Sequence, residues 1–193
     1  MKSICVFCGS SKGKDEAFST LANELGKRLA EMNISLVYGG AKIGLMGTVA
    51  KSCQENGGKV IGVIPAFLDK IEITNTEADE LYQTTSMHER KMKMSELSEG
   101  FIALPGGFGT LEELAEILTW SQLGLIKAPI GILNVNGYYD HLIQLFEHMK
   151  ANELLKPENM NLVLVDSSVD GLLTKMESFT PPKTSFMEKL DLT

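Results

Sequence analysis

Residues 104–113 read LPGGFGTLEE, three glycines and a proline directly ahead of two adjacent glutamates. Glycine is the usual residue of a tight strand-to-helix turn, and Thr110-Leu111-Glu112-Glu113 fits a capping box, with Thr110 at the N-cap and Glu113 reaching back to it. The same residues also suit chemistry. Backbone N–H groups with no side chains in the way can close on a phosphate at a helix N-terminus, and a nearby carboxylate can act on whatever that phosphate carries. A capping box accounts for Thr110 and one glutamate. It does not account for Gly106, Gly107 and Gly109 around Phe108.

The second chemical segment is SMHERKMKM, residues 86–94. Glu89 and Lys93 stand at i,i+4 spacing, the usual solvated pair. Neither Arg90 nor Lys91 has an acidic neighbour on its own helix face. In a chain of formal net charge −7, two adjacent cations without local partners invite an anion; the alternative is that they are ordinary exposed charges. His88 reads as a surface or packing residue, and the methionines as flexible core filler.

These residues need a scaffold, and the hydrophobic pattern supplies one. Short apolar runs at 2–7, 34–39, 59–65, 100–105, 129–134 and 161–165 read as strands. Helical patterns fall near 15–32, 45–56, 86–97, 110–123, 138–152 and 168–177. The stretch 66–85 reads as a loop with one turn. Wholly apolar strands separated by helices imply a mostly parallel sheet buried on both faces, a Rossmann-like three-layer α/β/α sandwich. One domain over 1–178 and a C-terminal tail over 179–193 are expected.

Ligands of open α/β sheets bind outside the carboxyl ends of the strands. Three of those ends are glycine-marked here: CGSS, YGGAKIGLMG and PGGFGT. They supply Gly9, Ser10, Gly39, Gly40, Gly44, Met46, Gly47 and Gly106 as candidate substrate contacts, with Met87 from the second segment. No G-x-x-x-x-G-K-[ST] is present, and the first turn is CGSSKGK rather than G-x-G-x-x-G, which argues against a P-loop NTPase and a nicotinamide cofactor. A single phosphate is the more economical ligand.

The charge balance argues against a nucleic-acid binder, which needs a basic face. No run approaches the length of a membrane span and the N-terminus lacks a signal-peptide layout, so a cytoplasmic protein with no membrane partner is expected. Cys5, Cys8 and Cys53 read as buried reduced thiols: Cys5 falls inside a strand, unlike a redox C-x-x-C, and the histidines form no ligand cluster with them. Neither a metal nor a cofactor is expected.

PGGFGTLEE and SMHERK together resemble the PGGxGTxxE and Met-x-Glu-Arg-Lys signatures of the LONELY GUY (LOG) family. The likeness extends through FCGSS, YGGAKIGLMG, VIGVIP, ILTWSQLG and GILNVNGYYDHL, covering nearly all of residues 3–150 in order. The resemblance implies a cytokinin riboside 5′-monophosphate phosphoribohydrolase, which cleaves the N-glycosidic bond of adenosine 5′-monophosphates, N6-modified or plain, to free base and ribose 5-phosphate. It implies Arg90 and Glu113 as the catalytic pair. Glu72, Lys91, Gly107, Phe108, Gly109, Thr110, Leu111, Glu112 and Thr119 would contact substrate, the surroundings of Glu72 diverging from plant-type sequences. It further implies a homodimer or higher homo-oligomer with sites near the subunit interface.

A helix N-terminus near Glu113 should favour its ionised form and suit it to act as base or electrostatic stabiliser. Arg90 could serve the phosphate or the departing base. The competing reading is a non-catalytic nucleotide- or cofactor-binding carrier on the same scaffold. A transferase would need a diphosphate or metal motif. The older family label, lysine decarboxylase, would require a Schiff-base lysine in a pyridoxal phosphate site, and none is recognisable.

Overall fold

The computed structural model describes residues 1–69 and 73–181. Among the described residues there are seven strands: β1 (Ser3–Phe7), β2 (Ser35–Tyr38), β3 (Val60–Pro65), β4 (Glu80–Thr84), β5 (Phe101–Ala103), β6 (Ile130–Leu133) and β7 (Val163–Asp166). They form one sheet in the order β4-β3-β2-β1-β5-β6-β7, and every ladder in it is parallel. Helices α1 (Glu16–Glu31), α2 (Gly44–Glu55), α3 (Ala66–Asp69), α4 (Met87–Glu96), α5 (Phe108–Leu123), α6 (Asp140–Ala151) and α7 (Val169–Glu177) connect them.

Alternation along the strands sorts the core into two layers. Ile4 and Val6 of β1 join α1, α2 and α7 through Leu25, Val49 and Leu172. Cys5 and Phe7, on the opposite face, join α4 and α5 through Met94, Leu114 and Ile117. The three-layer sandwich expected from the apolar runs is therefore what forms. All three cysteines are free and buried, as the strand pattern around Cys5 predicts. Among the described residues, no helix is long and apolar enough to cross a membrane.

The strand order reverses at β1. From it the chain winds outward through β2 and β3 to β4, then returns to lay β5 against the other side of β1. The loops leaving β1 and β5 thus diverge, opening a crevice at the carboxyl end of the sheet.

Three local expectations need correction. Residues 66–85 hold not only the one-turn α3 but also β4, which pairs with β3 from Ile61↔Glu80 to Pro65↔Thr84. As an edge strand it exposes one face, so it has a polar alternating sequence in place of an apolar run. Helix α5 begins at Phe108 with Gly107 as N-cap, and no side chain caps it; Thr110 is not the cap, and Glu113 falls in the second turn. A reciprocal cap forms instead on α4. There Ser86 Oγ accepts from Glu89 N at 3.2 Å, while the Glu89 carboxylate accepts from Thr85 N and Oγ1, both at 2.7 Å. Glu89 is therefore committed to the cap. Lys93 turns to Glu96 at 3.7 Å and to the ring of Tyr82.

Candidate active site

Helix α4 packs against β3 and presents Arg90 inward, 7% exposed. Its Nε donates to the Val63 carbonyl at 3.1 Å, and its Nη1 donates to Glu113 Oε1 on α5 at 2.9 Å. The guanidinium fits only because position 39 is glycine. A Cβ there would stand 2.2 Å from Arg90 Nη2 and 2.8 Å from Met46 Sδ. Arg90 is thus fixed by a backbone carbonyl, a carboxylate and a space cleared for it.

Lys91, the next residue, is 7% exposed. It donates to Glu112 and, at 3.0 Å, to Glu116, both on α5. The two cations lack partners on their own helix, as their spacing indicates. They find them on another helix, so neither is an unpaired charge awaiting an anion.

Arg90 and Glu113 line a cleft of about 330 Å³ at the carboxyl end of the sheet. Its walls also carry Gly9, Ser10, Gly39, Met46, Gly107, Phe108, Gly109 and Thr110, and its floor includes Val6, Cys8, Leu68 and Met94. The three glycine-marked turns meet here, but for different reasons. Gly44 has φ +62°, and a Cβ on it would meet the Ser10 carbonyl carbon at 2.2 Å, so it lets α2 start hard against the β1 loop. Gly47 and Gly106 likewise leave no room, since a Cβ would meet Lys42 and Thr110 at 2.1 Å, while Gly40 has φ +76° and a Cβ on it would crowd Ile64 at 3.0 Å.

Gly107 and Gly109 differ. A Cβ on either would meet nothing within 4 Å, and neither has a positive φ. The fold does not require glycine at these two positions. They stand at the N-terminus of α5 and line the cleft, and a helix N-terminus with its unpaired N–H groups is an arrangement that can receive a phosphate. Phe108 between them is 93% exposed.

Burial raises the Glu113 carboxyl above its ordinary value, against the opposing pull of Arg90. This corrects the expectation that the helix terminus would favour its ionised form. The residue sits a turn too deep in α5, and the macrodipole effect fades within the first turn. Cys8 beneath it is raised well above its usual range by burial. Among the described residues, no group of three or more His, Cys, Asp or Glu could hold a metal ion.

The remaining sequence-derived candidates lie elsewhere. Gly106 forms the turn between this cleft and a neighbouring one of about 300 Å³ with Lys12, Phe18 and Tyr138; Tyr138 donates to its carbonyl. Met87, Leu111 and Glu112 are exposed and do not line the cleft. Thr119 donates to the Ala115 carbonyl and faces a separate apolar groove bounded by Phe146, Met149 and Leu162. Glu72 falls outside the described residues. Sequence reasoning missed Cys8 and Leu68 in the cleft and Glu116 beside it. Cys8 was within reach, since it directly follows β1 at the rim where the glycines converge.

Fold and site together define a Rossmann-like α/β protein with a glycine-walled cleft of about 330 Å³ lined by a buried Arg–Glu pair. A family profile described as "Possible lysine decarboxylase" matches residues 46–176. A probable cytokinin riboside 5′-monophosphate phosphoribohydrolase of Oryza sativa subsp. japonica is 43% identical over 187 residues, 97% of this chain and 75% of the relative. A cytokinin riboside 5′-monophosphate phosphoribohydrolase of Arabidopsis thaliana is 42% identical over 188 residues, 97% of this chain and 82% of the relative. The chain belongs to the LOG family.

Among solved structures, the Moco carrier protein of Chlamydomonas reinhardtii is similar, with a TM-score of 0.68 and 26% identity over 91% of this chain and 94% of that one. The molybdenum cofactor binding protein of Rippkaea orientalis has a TM-score of 0.69 at 22% identity, over 92% and 97%; this second likeness concerns the fold alone.

Proposed function

We propose that this protein hydrolyses the N-glycosidic bond of adenosine 5′-monophosphates, N6-modified ones included, to free base and ribose 5-phosphate. The observation that carries the reading is the juxtaposition of Glu113, buried and held by Arg90 at 2.9 Å, with a helix N-terminus whose two glycines leave space unfilled. A nucleoside monophosphate seated with its phosphate on the N–H groups of residues 107–110 brings its ribose toward Glu113.

As the C1′–N9 bond breaks, its electron pair leaves with the purine and positive charge develops on the sugar. The Glu113 carboxylate stabilises that charge and takes a proton from the attacking water, whose oxygen bonds to C1′. The proton passes on to the departing base, balancing the reaction. A raised pKa makes Glu113 the stronger base. Arg90 keeps the carboxylate aimed and, through its remaining donors, can reach the substrate. On the strength of the family resemblance, we propose that it works as a homodimer or higher homo-oligomer.

The relatives at 42–43% identity carry names of this activity, whereas the carriers share the scaffold at lower identity. A pure carrier has no need of a carboxylate beside a phosphosugar. The deciding assay incubates purified protein with AMP, its N6-isopentenyl analogue and adenosine, and measures free base. Release from the monophosphates but not from adenosine is expected. Glu113→Ala and Arg90→Ala should each lose roughly 10²-fold or more in turnover while remaining folded. Tight binding without release would favour the carrier.

A further inference from the structure

Arg90 and Lys91 are consecutive on α4, and Glu112 and Glu113 are consecutive on α5, so two ion-pair rungs lie side by side between the helices. Only one of them reaches the cleft. Lys91 does not line it; its side chain is 7% exposed and its ammonium is occupied by Glu112 and Glu116. A contact with substrate would require that ammonium, already holding two carboxylates, to turn toward a cleft it does not line.

Residues 112, 113 and 116 place three carboxylates within two turns of one helix, facing two cations. Without Lys91, Glu112 and Glu116 would be left unneutralised beside Glu113, repelling its charge and competing for Arg90. We propose that Lys91 is a positioning residue: by engaging Glu112 and Glu116 it leaves Arg90 to Glu113 alone and keeps that carboxylate directed into the cleft. This role rests on the reading of Glu113 as the catalytic carboxylate.

Among the described residues, the charged and titratable groups facing Glu113 are Arg90 and Lys91 from α4, Glu112 from its own helix, and the thiols of Cys5 in β1 and Cys8 just after it. Both thiols are raised by burial and stay neutral. Of the remainder, Arg90 and Lys91 favour the ionised carboxylate, and Glu112 opposes it. Removing Lys91 therefore makes Glu113 harder to ionise. Removing Glu112 makes it easier.

The test follows Glu113 by carboxyl-carbon NMR in glutamate-labelled protein, its signal assigned by its loss in Glu113→Gln, alongside kcat, KM and the pH profile with AMP. Lys91→Met should move the Glu113 midpoint and the acid limb of kcat/KM upward by on the order of half a unit, the scale of one partly screened charge. It should also lower kcat by roughly 10- to 100-fold with KM little changed, the cost of a misdirected group. Lys91→Arg should restore both. The pair Glu112→Gln/Glu116→Gln, at partly exposed positions, should shift the midpoint the opposite way. A Lys91→Met protein that raises KM alone, with midpoint and kcat in place, would make Lys91 a substrate contact and overturn the proposal. So would an unmoved midpoint in the double variant, which decides the matter if Lys91→Met does not fold. Absence of base release by the unmodified protein would sink the proposed function, while the NMR midpoints would still judge Lys91.

Discussion

Gly39 shows how a residue with no functional group can govern a charged one. It lies at the end of β2, and its missing side chain is the space that Arg90 fills. Gly39→Ala should leave the sheet intact, because the clashing atoms are the ends of the flexible Arg90 and Met46 side chains. The guanidinium must move, and a displacement of about 1 Å at a catalytic group can cost on the order of 10² in rate. The expected outcome is a folded protein, cooperative in thermal melts, with turnover of AMP reduced to that degree. Full activity would mean that Arg90 works equally well elsewhere. None of this was legible in the sequence, which gives Gly39 and Arg90 no sign of contact across 51 positions. The Arg90–Glu113 pair was legible only as two motifs: spacing along one helix reveals missing local partners but cannot reveal partners on another helix.

At the scale of the element, α5 carries the sharpest test. Its first turn contains Gly109, which neither steric crowding nor backbone conformation requires. Glycine inside a helix is less favourable than alanine by about 1 kcal/mol. Gly109→Ala should therefore raise stability by up to about that amount, read from chemical denaturation, while raising KM for the monophosphate, since the new methyl would enter the space proposed for phosphate. Stability and binding moving in opposite directions is the signature of a position kept for a ligand. If both improve, or neither changes, the phosphate lies elsewhere. Most elements were readable because their apolar runs are buried on both faces and their helices end in recognisable stops. The exceptions have physical causes. The edge strand β4 buries one face, with Leu81 and Gln83 exposed, and its sequence resembles a loop. The capping box expected at Thr110 does not form, because α5 starts two residues before it, and the reciprocal cap stands on α4 at Ser86.

For the molecule as a whole, the far edge of the sheet sets an acid limit on stability. Asp166 ends β7, where its carboxylate accepts from Lys175 Nζ at 2.8 Å and from Ser168 N and Oγ at 2.9 Å, while its carbonyl accepts from Asn134 N at 2.8 Å. It thus ties α7 to the last strand and to the loop after β6. The Lys175 bond, with the Ser168 N–H and hydroxyl, lowers its pKa to about 2, below the roughly 3.9 of an unfolded chain. A depressed folded-state value means a contribution fully present above about pH 4 and lost as pH falls toward 2. Glu113 works in the opposite sense. Its raised value favours the fold below the unfolded glutamate value and loses that contribution as pH rises through the folded one. The total acid response therefore mixes signs, and only a difference between variants isolates Asp166. Urea midpoints for the protein and for Asp166→Asn, measured at pH 7, 4, 3 and 2.5, should differ most at pH 7 and 4 and converge toward pH 2. A gap that stays constant across that range would mean that the Asp166 charge contributes nothing and that the site matters only for its shape.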